Sequence, residues 1–414
     1  MGLYKFRPAP SGSMGVLWTL STLKNAAILE FGAMGHMMEA RIDLEKAGIT
    51  KTAGLYSTHI DDIDLTLGGL DRVRTAMDEI VRDSGVKAVF LLPSAAPEII
   101  GADFGALAAE LAPRYPDVDI VHFGFSGLTT EFNRGVSECL LTLVKKLARD
   151  APADKKQSFN IIGSCADFMR FHGDMEELVR IMRGAFGMEP SCILSSGASI
   201  EDIKTMGSAR INLVIRKEGL PAANYIKENF GSPFIEGRPY GLKGVMAWIR
   251  NIADATGIEP DKAFLNEEFQ EADRHYDTFE KLYKMTKYLG KPSPLRISAS
   301  GHSDVIKGIA SFANELGLAR NRFWCNDPDG GSEEIPYLCE SEWEAVLPEL
   351  EDDILMSSGD ILALCGRKQR MILAHPHPLW SICIYDAPFM GFRGISGLIN
   401  LWIYEIQKRM CSDI

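Results

Sequence analysis

The chain has 414 residues, 46% of them hydrophobic and 24% charged, an ordinary balance for a globular protein with a full core. The formal net charge is −12, and without a Lys/Arg-rich run this argues against nucleic acid as a partner. No apolar run reaches the ~20 residues of a membrane helix, and Met1–Pro8 has neither the apolar core nor the cleavage site of an export signal, so a cytoplasmic location is expected.

At roughly 100–200 residues per domain the length predicts two to four domains. Short apolar runs bounded by turn residues alternate with amphipathic stretches. Ala26 to Leu29, Lys87 to Leu92 and Asp119 to Phe123 read as strands buried on both faces. A helix is expected from Gly135 to Asp150. The pattern restarts with a strand at Ser158 to Gly163. The helix Asp174 to Phe186 carries Met175, Leu178, Val179, Met182 and Phe186 on one stripe. Asp174 reads as its N-cap, with Glu177 three residues on, and Gly187 as its end.

Next come strand Cys192 to Leu194, helix Ser199 to Met206, strand Ile211 to Ile215, helix Leu220 to Phe230, strand Pro233 to Ile235 and helix Leu242 to Thr256. A long polar helix, Asp261 to Leu289, leads to a third block. There Leu295 to Ser298 reads as a strand and Ser303 to Leu316 as a helix. Ile361 to Leu364, Met371 to Leu373 and Ser381 to Ile384 read as strands, and Ser396 to Lys408 as a closing helix. The expected fold class is α/β, with three doubly wound, parallel-sheet (Rossmann-like) domains at 1–152, 153–290 and 291–414. Ligands in such folds sit at the carboxyl ends of strands.

Eight cysteines are scattered singly with no Cys-x-x-Cys, as expected of free thiols, most of them buried as small hydrophobes. There is no phosphate loop. Gly32 and Gly35 follow a strand without the rest of a dinucleotide fingerprint, so neither an ATP nor an NAD site is expected. His375-Pro376-His377 has no third ligand nearby in sequence and reads as a rigid loop rather than a metal site. Asp61 to Asp64 lacks the calcium-loop glycine and closing glutamate, and reads as a solvated turn.

Several segments, taken in order, resemble the nitrogenase component 1 family. Ile28 to His36, ending in Gly32-Ala33-Met34-Gly35-His36, is similar to the first cluster loop. Tyr56 to Asp61 through Leu67-Gly68-Gly69 is similar to the second. Leu92 to Asp103, with Glu98-Ile99-Ile100-Gly101, is similar to the third. Phe123-Gly124-Phe125-Ser126-Gly127 resembles the family's Gly-Phe-x-Gly turn. Ile200 to Val214 and Gly231-Ser232-Pro233-Phe234 are similar to β-like subunits and their cofactor-assembly relatives. Gly391-Phe392-Arg393-Gly394 resembles the closing Gly-Tyr/Phe-x-Gly motif. The likeness spans most of the chain.

The resemblance implies a β-like subunit of a nitrogenase-like reductase. It implies an α-like paralogous partner, an ATP-dependent iron protein as electron donor, and a bridging [4Fe–4S] cluster shared with that partner. The family's cluster cysteines fall near His36, near Leu55 and at Ala95, and none of these is Cys. By resemblance the cluster-loop positions are Gly35, His36, Ser94 and Ala95. Of these His36 alone is a metal-ligand candidate, since neutral imidazole binds iron. Glu30, Glu39 and His59 are close enough in sequence to tune it. The cofactor-holding cysteine of α-type subunits falls near Arg216-Lys217 and is absent. Two alternatives stand beside this reading: a scaffold for metallocofactor assembly, and a pseudo-subunit without a cluster.

Overall fold

The computed structural model describes residues 10–32, 34–46, 49, 53–61, 70–82, 85–94, 101–124, 131–149, 156–168, 170–288, 296–350, 354–364, 370–373 and 387–411. Within these residues, three sheets of four strands share one topology. The first contains β1 (Ala26–Phe31), β2 (Gly54–Ser57), β3 (Ala88–Pro93) and β4 (Asp119–His122) in the order β2-β1-β3-β4. The second contains β5 (Lys156–Ser164), β6 (Glu189–Ser195), β7 (Ala209–Val214) and β8 (Phe234–Glu236) in the order β6-β5-β7-β8. The third contains β9 (Arg296–Gly301), β10 (Ala319–Cys325), β11 (Ile354–Ser357) and β12 (Arg370–Ile372) in the order β10-β9-β11-β12. In each sheet the chain steps to one side of its first strand and then returns to the other. The strand order therefore reverses at β1/β3, β5/β7 and β9/β11, and the pairing at each of these points is parallel.

By its contacts the chain divides into two compact units, residues 8–167 with 190–234, and residues 168–189 with 235–414. In the first of these units β1 is buried along its whole length. Its residues alternate between two cores, as a strand's period of two dictates. Ala27, Leu29 and Phe31 meet Val73, Met77 and Ile80 of helix Leu70–Val81, and Phe104 and Leu107 of helix Phe104–Leu111. Ala26 and Ile28 share the other core with Val16, Leu17 and Leu20 of helix Gly12–Leu20, and with Leu140 and Val144 of helix Phe132–Leu147. That core continues into the second sheet through Ile162, Leu194 and Val214. Each fully buried Leu, Ile or Val contributes about 1.5–3 kcal/mol. Helices Gly12–Leu20 and Phe132–Leu147 cross closely because both carry glycine there. A Cβ on Gly135 would lie 2.0 Å from the Gly12 carbonyl oxygen, and one on Gly15 2.3 Å from that of Phe132.

In the other unit, Trp324, Leu347, Leu355, Ile361 and Leu362 form the core beside the third sheet. Helix Phe171–Phe186 begins three residues earlier than expected, so Asp174 sits inside its first turn rather than at its N-cap. Its carboxylate serves another helix. Oδ1 accepts the amides of Phe389 (2.7 Å) and Met390 (3.1 Å), just ahead of helix Gly391–Cys411, and Oδ2 accepts from Arg238 (3.0 Å). Glu177 accepts the Arg393 amide at 3.0 Å, and a Cβ on Gly391 (φ 74°) would lie 2.4 Å from the Glu177 Cγ. The first glycine of the closing motif is thus a steric requirement of this junction.

Two further expectations are corrected. Ile361 to Leu364 lies in a helix, Gly359–Leu364, because four apolar residues suit one buried turn as well as a short strand. The closing helix starts at Gly391 rather than Ser396, since Asp174 and Glu177 supply acceptors that its own sequence lacks. Helices Gly12–Leu20 and Met34–Lys46 and strand β2 were not expected from the periodicity. The strand expected at Ser381 to Ile384 lies outside the described residues.

Candidate functional site

In a doubly wound sheet the crevice for a ligand opens at the carboxyl ends of the two strands where the order reverses. For the first sheet these ends are Glu30-Phe31-Gly32 and Leu92-Pro93-Ser94. The Ser94 amide donates to the Phe31 carbonyl at 3.1 Å. The Gly32 carbonyl accepts from the Ser57 hydroxyl at 3.1 Å and the Ile60 amide at 3.2 Å. The Glu30 carbonyl accepts the Thr58 amide at 3.0 Å, and the Glu30 side chain is fully buried. A Cβ on Gly32 would lie 2.6 Å from both Cβ and Oγ of Ser94, and 3.3 Å from the Glu30 carboxyl carbon. Glycine is required here because Ser94 and Glu30 already close over its backbone.

The expected site residues fall into two groups. Ser94 directly follows β3 and lies against Gly32. Gly35 and His36 lie in the first turn of helix Met34–Lys46 rather than in a strand-end loop. Gly35 is exposed, with open space where a side chain would be, while the side chain of His36 lies outside the described residues, as does Ala95. Leu55 is held in β2 opposite Ile28 and packs on the core. His59 is exposed at φ 51°, with its carbonyl accepting from Arg72 at 2.8 Å. Asp61 is exposed and forms an ion pair with Arg72 at 2.8 Å. Asp62 to Asp64 and His375 to His377 lie outside the described residues.

Sequence reasoning missed the polar groups at the other two reversals. At β5/β7, Arg216 Nη1 donates to both carboxylate oxygens of Asp167 (2.9 and 3.0 Å), and Nε donates to Glu218 at 2.9 Å. At β9/β11 the hydroxyls of Ser300 and Ser357 meet at 2.5 Å. Ser303 gives its amide (2.7 Å) and hydroxyl (2.6 Å) to the buried Asp327 carboxylate. The available signal was a charged residue directly after an apolar strand, as in Ile211 to Arg216. Its partner Asp167 lies 49 residues away and carries no local signature.

Comparison with known proteins places this topology. The family model for nitrogenase component 1 type oxidoreductases matches residues 11–406. The chain belongs to that family. It is 22% identical over 358 residues to the B-type polypeptide of light-independent protochlorophyllide reductase from Rhodospirillum rubrum, a match covering 81% of this chain but only 64% of that polypeptide, under two thirds of its length. It is 27% identical over 443 residues to the N-type polypeptide of the same kind of reductase from Rhodopseudomonas palustris, covering 96% of this chain and 91% of that one. A solved nitrogenase Cp1 (pH 6.5) superposes with a TM-score of 0.81 at 16% identity, covering 100% of this chain and 95% of the other, which shows the fold.

The donor set of this family member decides whether an iron–sulfur cluster fits the strand-end loops. Clusters are held by soft thiolates. The described side chains at the first crevice offer the carboxylate of Glu30 and the hydroxyls of Ser57, Thr58 and Ser94, all hard oxygens. None of the described cysteines stands there. Cys139, Cys165, Cys192 and Cys325 are buried, and Cys339 precedes helix Glu340–Val346. Burial raises the thiols of Cys139 and Cys192 and pushes that of Cys165 up to about 11, away from the ionised form a metal requires. The described residues do not fit a cluster held by this chain.

Proposed function

We propose that this chain is the β-like subunit of a nitrogenase-like reductase complex and supplies structure rather than cluster thiolates. Family membership over nearly the whole chain, combined with donors that are all oxygens among the described side chains at the first crevice, carries this reading. An α-like paralogous subunit holds the thiolates, and an ATP-dependent iron protein delivers low-potential electrons to the complex. Of the family's ligand positions in this chain, only His36 keeps a metal-binding side chain, and it is the one donor this subunit adds to a shared [4Fe–4S] cluster. The relatives are named as reductases of protochlorophyllide, so a conjugated tetrapyrrole is the first substrate class to test. The chain works in the cytoplasm; within the described residues no helix is long and apolar enough to cross a membrane.

The oxygen donor set also favours a second reading, a cluster-free pseudo-subunit or assembly scaffold. Co-expression with genomically adjacent paralogues, followed by affinity purification and an ATP-dependent reduction assay with dithionite, separates the two. A stoichiometric complex whose turnover requires both this chain and an iron protein supports the reductase subunit. A chain that purifies alone and leaves the paralogue's turnover unchanged contradicts it.

A further inference from the structure

In the second sheet the strand order reverses between β5 and β7, so a ligand belongs between Gly163 to Asp167 and Ile215 to Glu218. Arg216 lies in that place. Its side chain is 0% exposed, and those of Asp167 and Glu218 are 6% and 4% exposed. Gly163 has φ 98°, and a Cβ there would lie 2.4 Å from the Arg216 Cγ, so the strand end is shaped to let the arginine stem lie against its backbone. Burial alone lowers the pKa of a guanidinium, but Asp167 and Glu218 more than offset this and hold Arg216 protonated.

An arginine that receives an anionic ligand directs its donors to open space. Here two carboxylates of the same chain take the Nη1 and Nε donors, and two negative charges flank one positive charge. We infer that the Asp167–Arg216–Glu218 triad is a built-in occupant of the ligand crevice, so that the second sheet of this subunit admits neither a metal cluster nor an anionic macrocycle. Removing Arg216 leaves two buried carboxylates without the guanidinium between them, and removing either carboxylate costs Arg216 one of its two acidic neighbours. The inference concerns the second sheet alone and stands whether or not a partner holds a cluster.

The test is hydrogen exchange by mass spectrometry on the full chain, with and without protoporphyrin IX and with and without inorganic phosphate. Thermal denaturation of Arg216→Ala accompanies it. Peptides covering 163–167 and 215–218 are expected to exchange slowly and to be unchanged by either probe. Arg216→Ala is expected to lower the melting midpoint by on the order of 10 °C. If that variant yields no folded chain, Glu218→Gln is measured instead and shifts in the same direction by less. New protection of those peptides on adding either probe would overturn the inference, because the crevice would then be a receptor. So would a variant as stable as the wild-type chain.

Discussion

Asp174 caps a helix it does not belong to. It stands in the first turn of helix Phe171–Phe186, yet its carboxylate accepts the Phe389 amide at 2.7 Å, ahead of the helix that ends the described chain. The contact spans 215 residues of sequence and is completed by Arg238 at 3.0 Å. Asp174→Ala removes the acceptor for two amides and leaves the buried Arg238 guanidinium without this carboxylate. The expected loss is about 3–5 kcal/mol in urea unfolding. Asp174→Asn keeps one carbonyl acceptor and is expected to lose less. Equal stability of Asp174→Ala and the wild-type chain would show that the junction is not held this way.

Gly32 and Ser94 approach closely at the carboxyl ends of β1 and β3. Gly32→Ala forces overlap at 2.6 Å and is expected to destabilise the chain by about 1–3 kcal/mol. Ser94→Gly removes both overlapping atoms, so the double variant should recover most of that loss. A double-mutant cycle with no coupling would contradict that contact.

Much of the fold was legible because parallel strands buried on both faces are short apolar runs, and β1, β3, β5 and β7 are such runs. Two helices without an expectation have no clear stripe: every described residue of Gly12–Leu20 except Met14 is buried, and Met34–Lys46 is polar with exposed Met34 and Met38, whereas Leu70–Val81 does carry a stripe, in Val73, Met77 and Ile80. The site was legible only in part. Ser94 could be placed at the end of β3 from the apolar run that precedes it, while its cluster-loop role rests on resemblance alone. The Arg216 triad could not, because Asp167 and Arg216 meet only through strand pairing. Asp174 was misread for the same reason, its function lying on a distant helix.

Thiol reactivity separates the described cysteines. Cys139, Cys165 and Cys192 are buried with raised pKa values, and Cys325 is buried in β10. Cys339 is part-exposed beside Ser341. Of these five, Cys339 is expected to react with iodoacetamide first in the native chain, by roughly tenfold or more, as read by peptide mass mapping. Comparable labelling of Cys165 would show that the second-sheet interior is open.

His122 gives a pH signature. Burial, and then Lys146, lower its pKa from the ordinary 6.5 in the folded chain. The unfolded state therefore binds more protons in the window just below that value. This contribution to stability is complete above about pH 6.5 and is lost as pH falls toward the folded pKa. Urea midpoints from about pH 5 to about pH 7.5 should rise with pH, and His122→Gln should flatten part of that rise. An unchanged slope in the variant would show that His122 does not set it.

The central claim is that this subunit brings no thiolate to a cluster. Iron and acid-labile sulfide, measured on the anaerobically purified chain alone and in complex with a paralogous partner, test it most directly, with His36→Ala as the control. The expected result is an iron-free, colourless chain when alone, and iron with matching sulfide only in the complex, reduced in His36→Ala. A brown chain carrying stoichiometric iron and sulfide without any partner would contradict it.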